Sequence, residues 1–225
     1  MTDVATGFTI NRSVENKAAV GVTEAIDHAR KKFPFPILGI DSDNGSEFIN
    51  AHLFDYCSAN KLTFTRSRPG NKNDGAHVEQ KNWTHVRELV GYLRFDTDAE
   101  LEILNAIWEL DSRFSNHLLA QQKLVFRHRE GSKVIKRYDR AQTPVERAIA
   151  SGILGKAKVA SLRKMTTAIR PADLSGAITE LAQDLERLAL TKAPTPLPRK
   201  VNRAFNASDR PEVRGEQRAR RSRAL

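Results

Sequence analysis

Residues Ile37–Gly45, with the sequence ILGIDSDNG, decide the fold class of this 225-residue chain. The stretch opens on Ile37–Ile40, a short and wholly apolar run that predicts a buried strand of a mixed or parallel sheet. Asp41–Gly45 follows with residues that are typical of a turn. Asp43 therefore comes at the carboxyl end of the predicted strand, which is where α/β sheets place their functional groups.

Helices and strands alternate on both sides of this stretch. The apolar spacing of Lys17–Lys32 predicts an amphipathic helix, and the prolines of the following FPFP segment end it. After the turn, the pattern predicts a helix over Ile49–Asn60, a strand over Leu62–Arg66, and helices over His77–Leu93 and Asp98–Leu118. Such alternation is typical of α/β architecture.

Composition excludes several classes of protein. Apolar residues make up 40% of the chain and charged residues 28%, as in a globular protein. No run approaches the roughly 20 apolar residues that a membrane span needs, and residues 1–7 lack the basic and apolar regions of a signal peptide. Cys57 is the sole cysteine, so an intrachain disulfide and a cysteine-based zinc site are both excluded. We therefore expect a cytoplasmic protein without a membrane partner.

Much of the formal net charge of +10 comes from two segments. Arg199–Leu225 holds nine basic residues against three acidic ones, and Lys123–Arg140 holds seven against Glu130 and Asp139. This balance favours a polyanionic partner, above all nucleic acid. A solvated basic surface kept for solubility is the alternative, and charge alone leaves both interpretations open.

Asp43 and Glu79 are the candidate metal ligands. Glu79 falls in the first turns of the predicted helix His77–Leu93, just after a loop rich in glycine and asparagine, and 35 residues separate the two acids. Two carboxylates that converge on one pocket suit a divalent metal ion. The spacing by itself is weak evidence, because an Asp-Asn-Gly segment is usually only a turn.

Two motifs strengthen this assignment. Ile40–Phe48 (IDSDNGSEF) resembles the second catalytic segment of the DDE integrases and transposases, the retroviral-integrase-like branch of the RNase H-like fold. Thr65–Asn82 (TRSRPGNKNDGAHVEQKN) is similar to the loop and helix that carry the last glutamate of that family, and the 35-residue interval is the one for which the family is known. The resemblance covers about residues 2–150 and is strongest to transposases of bacterial insertion sequences.

The resemblance implies a DNA-joining enzyme. It makes Asp43 and Glu79 ligands of two Mg²⁺ or Mn²⁺ ions, which activate the attacking oxygen and stabilise the leaving oxygen of a phosphodiester. The side chains that it places near DNA in this region are Arg66, Arg68, Lys72, Lys81 and Asn82, and Asn82 could instead support the metal site. For each of the four cations a solvated basic edge is the alternative. From the basic arm we expect DNA contacts by Lys133, Lys136 and Arg137.

The chain departs from the family at the first aspartate of the catalytic triad. The family carries that residue in the middle of the first strand of its sheet, whereas Thr2–Phe8 resembles the second strand and its turn. We therefore expect an α/β, RNase H-like mixed sheet flanked by helices and lacking its first strand, with the first aspartate upstream of Met1. Asp3 could be proposed as a substitute, but its position is non-catalytic in the family. On this expectation the chain is a truncated transposase that is inactive alone.

The predicted organisation has four parts. They are a truncated catalytic core over residues 1–118, a basic DNA-binding arm over 119–145, a helical segment over 146–190 and a disordered basic tail over 191–225. Thr143 and Pro144 mark a helix start as N-cap and first helical residue. The stripe Leu174–Leu188 is open to two interpretations, packing within the chain or a dimer seam.

Three hypotheses for the function remain. The first is a transposase that cleaves and joins DNA at transposon ends and target, as a homo-oligomer on DNA in the bacterial nucleoid. The second is a non-catalytic nucleic-acid-binding remnant of such an enzyme. The third, an RNA- or ribosome-binding protein, shares the charge but leaves both motifs unexplained. A zinc site on His77 and His85, eight residues apart on one predicted helix, is a less favoured addition.

Overall fold

The computed structural model describes residues 1–42, 51–66 and 83–192. These ranges have α/β architecture with two small two-stranded sheets, and Met1–Lys192 forms one compact unit. The elements up to residue 66 are α1 (Ala19–Lys32), β1 (Gly39–Ser42), α2 (Ala51–Ala59) and β2 (Thr63–Arg66). The later elements are a π-helical turn (Trp83–Arg87), α3 (Glu88–Val90), α4 (Asp98–His117), β3 (Leu124–Glu130), β4 (Lys133–Tyr138), α5 (Pro144–Ala150), α6 (Lys156–Ala168) and α7 (Pro171–Thr191).

Residues 1–10 fold back on themselves in a tight antiparallel turn. The Met1 ammonium donates to the Ile10 carbonyl at 2.7 Å, and the Ile10 amide donates back to the Met1 carbonyl at 2.9 Å. The turn needs Gly7, whose φ of 80° is in the left-handed region. The predicted strand and turn near Thr2–Phe8 therefore take the form of a single antiparallel bridge between Thr2 and Thr9.

β1 and β2 form a parallel pair, with Ile40 beside Phe64 and Asp41 beside Thr65. Parallel strands need a crossover, and α2 supplies it. Helices α1 and α2 cover one side of the pair, where an apolar cluster joins Val22, Ile26, Leu53, Cys57 and Leu62. The predictions of helices before and after β1, and of a strand ending at Arg66, are confirmed within the described residues.

The prediction of a fully buried strand over Ile37–Ile40 is wrong in two respects. The strand runs from Gly39 to Ser42, and Leu38, just before it, is 82% exposed. The physical reason is that β1 pairs with β2 alone among the described strands, and its helices cover only one face. Half of the apolar run therefore faces outward.

The largest helical contact joins α4 to α7. Ile107 and Trp108 of α4 pack with Ile178 and Leu185 of α7 in one buried cluster, in which Ile107 is wholly inaccessible to solvent. The Trp108 ring also donates through its Nε1 to the Ser13 hydroxyl at 2.8 Å. The apolar stripe of α7 therefore packs within the chain, which decides between the two interpretations given above.

Helices α4 and α5 each begin with a capping box. Thr97 and Glu100 exchange side-chain and backbone hydrogen bonds at the start of α4, and Thr143 and Glu146 do the same at α5. Pro144 is the first residue of α5, as predicted, because a missing N–H costs nothing there. These boxes fix the starts of the helices from sequence alone.

The helix predicted over His77–Leu93 ends sooner in its described part. Trp83–Arg87 is a π-helical turn, Glu88–Val90 adds one α-helical turn, and the chain leaves the helix at Gly91 with a φ of 67°. Glycine tolerates that backbone geometry, so the helix stops there rather than at Leu93. Among the described helices, none has the length and apolar character needed to cross a membrane.

Candidate nucleic-acid interface

The strands β3 and β4 pair as an antiparallel hairpin, Leu124–Tyr138, which we call the ribbon. The predicted basic arm therefore contains a hairpin. Every residue of β3 is exposed, as is every residue of β4 except the half-buried Ile135. An isolated two-stranded hairpin is marginally stable in water, so the ribbon depends on its base for its position.

One side of the ribbon, the cationic face, carries Arg127, Arg129 and Lys136. Arg127 stands directly opposite Lys136 in the register, and Arg129 is two residues along on the same side. All three side chains are exposed, and none forms an ion pair with another described residue. Val134 and Tyr138 also lie on this face of the ribbon, which contains no acid.

The other side, the aromatic face, carries Phe126, His128 and Arg137. The Phe126 and His128 rings stack with their centroids 6.2 Å apart, and the Arg137 guanidinium lies 5.5 Å from the Phe126 ring centroid. At the tip of this face Glu130 stands opposite Lys133, so a negative charge compensates the positive one. The two faces therefore differ in charge, although both are exposed.

A half-buried ion pair anchors the base of the ribbon. Arg147 of α5 donates to the Asp139 carboxylate at 2.5 Å and to the Gln121 carbonyl at 2.7 Å. The hydrogen bond from Arg147, followed by one from the Lys123 amide, lowers the pKa of Asp139 to about 2. The carboxylate is therefore charged at neutral pH, and the two ends of the ribbon are held together.

The Lys123 side chain ties the ribbon base to the N-terminal turn. Its ammonium donates to the carbonyl of Val4 at 2.5 Å and to the carbonyl of Ala5. These contacts link residues more than a hundred positions apart in the chain. The base of the ribbon is thus fixed on the same compact unit as β1 and β2.

The structure separates the three arm residues that the sequence proposed. Lys136 lies on the cationic face, whereas Lys133 and Arg137 lie on the aromatic face, where Glu130 and Phe126 are their neighbours. Sequence reasoning missed Arg127 and Arg129. Their spacing of two residues was the available signal, because side chains two apart share one face of a strand.

Of the predicted site residues in the first half of the chain, one is described. Arg66 is exposed at the end of β2, beside Ser42 of β1 in the register. The others lie outside the described residues, and they are Asp43, Arg68, Lys72, Glu79, Lys81 and Asn82. Asp43 follows the last residue of β1 in the sequence.

Asp3 is engaged in its own turn. Its Oδ2 accepts from the Thr6 amide at 2.7 Å and from the Thr6 hydroxyl at 2.6 Å. This is the ordinary role of an aspartate at the start of a turn. The Asp3 carboxylate therefore stabilises the N-terminal turn, and its geometry gives no support for a role as a metal ligand.

No group of three or more metal-binding side chains occurs among residues 1–42, 51–66 and 83–192. His85, which the zinc hypothesis used, has its Nδ1 3.8 Å from the Asp111 carboxylate, and both side chains are buried. His77 lies outside the described residues. Within the described part, the pair His85–Asp111 is a contact between the π-helical turn and α4.

Comparisons with known proteins add one relative without an assigned activity. No protein-family model matches the chain. The chain is 38% identical over 147 residues to an uncharacterized protein, y4rM, of Sinorhizobium fredii (strain NBRC 101917 / NGR234). The aligned part is 65% of this chain and 42% of the relative, so the chain spans about two-fifths of that relative's length.

Proposed function

We propose that the chain is part of a DNA transposase of the DDE type, which binds DNA through the cationic face of the ribbon. Its catalytic metal ligands would be Asp43 and Glu79, on an RNase H-like core, and its partners transposon ends and target DNA. The observation that carries the proposal is the placement of Arg127 opposite Lys136, with Arg129 beside them and no acid on that face.

Like charges directly opposite each other destabilise a strand pair. Arg127 and Lys136 impose that cost on a hairpin that gains little from burial. A row of phosphates removes the cost, because each phosphate neutralises a cation and releases a counterion. A two-stranded ribbon also fits the width of the DNA major groove.

The order of elements supports an RNase H-like core. A tight antiparallel turn precedes α1, and β1, α2 and the parallel strand β2 follow in that order. This is the sequence of elements that the resemblance implies after its first strand. Asp43 follows the last residue of β1 in the sequence, and functional groups of such sheets usually follow the carboxyl ends of strands.

The donor set of Asp43 and Glu79 fits Mg²⁺ or Mn²⁺. Both supply hard carboxylate oxygens, which these ions prefer. Two such ions, when bound, would activate the attacking oxygen and stabilise the leaving oxygen of a phosphodiester. Arg66, exposed at the end of β2, would then attract the DNA backbone towards this end of the parallel pair.

A non-catalytic DNA-binding remnant is the second candidate, and Asp3 favours it. The Asp3 carboxylate is held by Thr6, so it does not supply the third acid of the family's triad. Such a remnant would keep the electrostatics of the ribbon and lack the chemistry. The two candidates therefore differ in metal binding by Asp43 and Glu79 and agree in DNA binding.

The test measures Mn²⁺ binding, DNA binding and metal-dependent nicking on a short duplex that mimics a transposon end. Three proteins are compared: the chain itself, the double variant Asp43→Asn/Glu79→Gln, and the control Asp55→Asn/Glu102→Gln. The control removes two exposed carboxylates and the same charge at positions to which the proposal gives no metal-binding role. Its Mn²⁺ binding and nicking should match those of the chain.

The transposase proposal expects Mn²⁺ binding that the Asp43/Glu79 variant loses and the control keeps, and any nicking by the chain should be lost in the same variant. DNA binding without Mn²⁺ binding in all three proteins overturns the catalytic part and leaves the remnant. A chain that binds no DNA at low salt overturns both candidates.

A further inference from the structure

Helix α6 carries a second concentration of uncompensated positive charge. Its thirteen residues include Lys156, Lys158, Arg163 and Lys164 and no acid. All four side chains are exposed, and none forms an ion pair with another residue of the described ranges.

Three of these cations share one side of the helix. With about 100° of rotation per residue, Lys156, Arg163 and Lys164 fall within an arc of roughly 100°. Ala160 and Thr167 lie in the same arc, so only small side chains separate the cations. This side, which we call the α6 face, is therefore flat enough for a close approach. Lys158 projects well outside that arc.

The first-turn charges of α6 run against the helix dipole. The N-terminal end of a helix favours negative side chains, yet the first turn of α6 has no acid and contains Lys156 and Lys158. Helices α4, α5 and α7 each have an acid in the first turn, whereas α1 and α2 have none. The dipole therefore gives no reason for the two lysines at the start of α6.

The opposite side of α6 fixes the helix on the compact unit. Leu162 is buried in a cluster with Phe8, Phe33 and Val145. Thr166 lies 2.7 Å from the Nδ1 of His117, at the end of α4. The cations of the α6 face are thus presented by a helix that is already held in place, and binding need not order it.

We propose that the α6 face, Lys156, Arg163 and Lys164, is a second surface that binds DNA phosphates. The inference rests on the proposed function, because it takes the duplex bound by the ribbon as its partner. Each phosphate contact contributes about 0.9 to the slope of log affinity against log salt concentration. Three contacts on α6 therefore add about 2.7 to that slope.

The experiment compares three variants that each remove three positive charges. One replaces Lys156, Arg163 and Lys164 by Gln, and one replaces Arg127, Arg129 and Lys136 by Gln. The control replaces Lys31, Lys32 and Arg187, which are exposed but paired with acids. Affinity for a mixed-sequence duplex of about 30 base pairs is measured by fluorescence anisotropy between about 50 and 200 mM salt. A single Lys158→Gln variant tests a cation of the same helix outside the α6 face.

The expected result is a slope lower by about 2.7 for the α6 variant and for the ribbon variant, and unchanged for the control and Lys158→Gln. A slope unchanged in the α6 variant but lowered in the ribbon variant overturns this inference and leaves the proposed function intact. Equal slopes in all three triple variants overturn both. Circular dichroism of each variant verifies that the helices are retained.

Discussion

The helix pair α4–α7 and the ribbon differ in the burial of their apolar side chains and in the pairing of their charges. In the helix pair, Ile107 and Leu185 are inaccessible to solvent, and the buried Glu100 carboxylate is paired with Lys192 at 2.6 Å. In the ribbon, the apolar Val125 is 63% exposed, and Arg127 faces Lys136 without an acid. Burial of apolar side chains and pairing of charges explain the composition of the helix pair, but they do not explain the composition of the ribbon.

The difference indicates what each region is for. A domain is stabilised by regions that remove apolar surface from water and pair their charges. A region that does neither adds little to the free energy of unfolding, so its composition points to a partner. On this argument the helix pair stabilises the protein, and we propose that the ribbon and the α6 face bind a polyanion.

The largest expected effect is on the helix pair. Ile107→Ala removes a buried side chain and leaves a cavity, so we expect it to lower the free energy of unfolding by about 2–5 kcal/mol. Val125→Ala in the ribbon should change it by less than about 0.5 kcal/mol. Urea denaturation measures both. Equal losses would show that the ribbon is part of the stabilising core.

The next largest effect is expected at the ion pair between Glu100 of α4 and Lys192, which follows α7. Burial raises the pKa of Glu100, but hydrogen bonds from Lys192 and from the Asp96 and Thr97 amides outweigh it and bring the pKa to about 2. Glu100→Gln should therefore lower the free energy of unfolding at pH 7 by about 1–3 kcal/mol.

The pH dependence of that effect follows from the sign of the shift. Because the folded pKa lies below the usual 4.5, the carboxylate stabilises the fold above pH 4.5, and this contribution is lost as the pH falls towards 2. The difference in free energy of unfolding between the chain and the Glu100→Gln variant should become smaller as the pH falls over that range. A difference that is constant with pH would contradict the assignment of Lys192 as the partner.

A smaller effect is expected at the helix that anchors the ribbon. Thr143→Ala removes the N-cap of α5, which should lower the free energy of unfolding by about 1 kcal/mol. Thr179→Ala, in the exposed middle of α7, removes the same atoms without a cap, and its effect should be near zero. Thermal denaturation of the two variants separates these outcomes, and equal shifts would contradict a capping role.

The smallest effect on stability is expected from the cationic face. Arg127→Gln/Arg129→Gln/Lys136→Gln should leave the free energy of unfolding within about 0.5 kcal/mol of the original, or raise it slightly, because like charges are removed. Urea denaturation without DNA measures this. A loss of more than 1 kcal/mol would mean that these cations serve the fold after all.

Local patterns predicted most elements of the fold. The Thr143–Glu146 capping box, the apolar stripe of α7 and the helical spacing of α4 are signals within one segment, and the structure agrees with them. The prediction that β1 is fully buried was wrong, because the burial of a strand depends on which strand lies beside it. That neighbour is a long-range property, which a four-residue apolar run does not encode.

The candidate site was predicted in part for a similar reason. Positive charge in residues 123–140 was evident from composition, but the division into two faces requires the register of Phe126 against Arg137. That register places Lys133 and Arg137 on the aromatic face, and it places Arg127 and Arg129 on the cationic face. The α6 face was missed because its four cations are spread through a helix rather than a basic run.

Amide hydrogen exchange, followed by mass spectrometry with and without the end-mimicking duplex, tests whether the ribbon binds DNA. We expect DNA to slow exchange in Leu124–Tyr138 and to leave exchange in the buried pair α4–α7 unchanged. Unchanged exchange throughout the ribbon at a DNA concentration that saturates the protein would contradict this expectation.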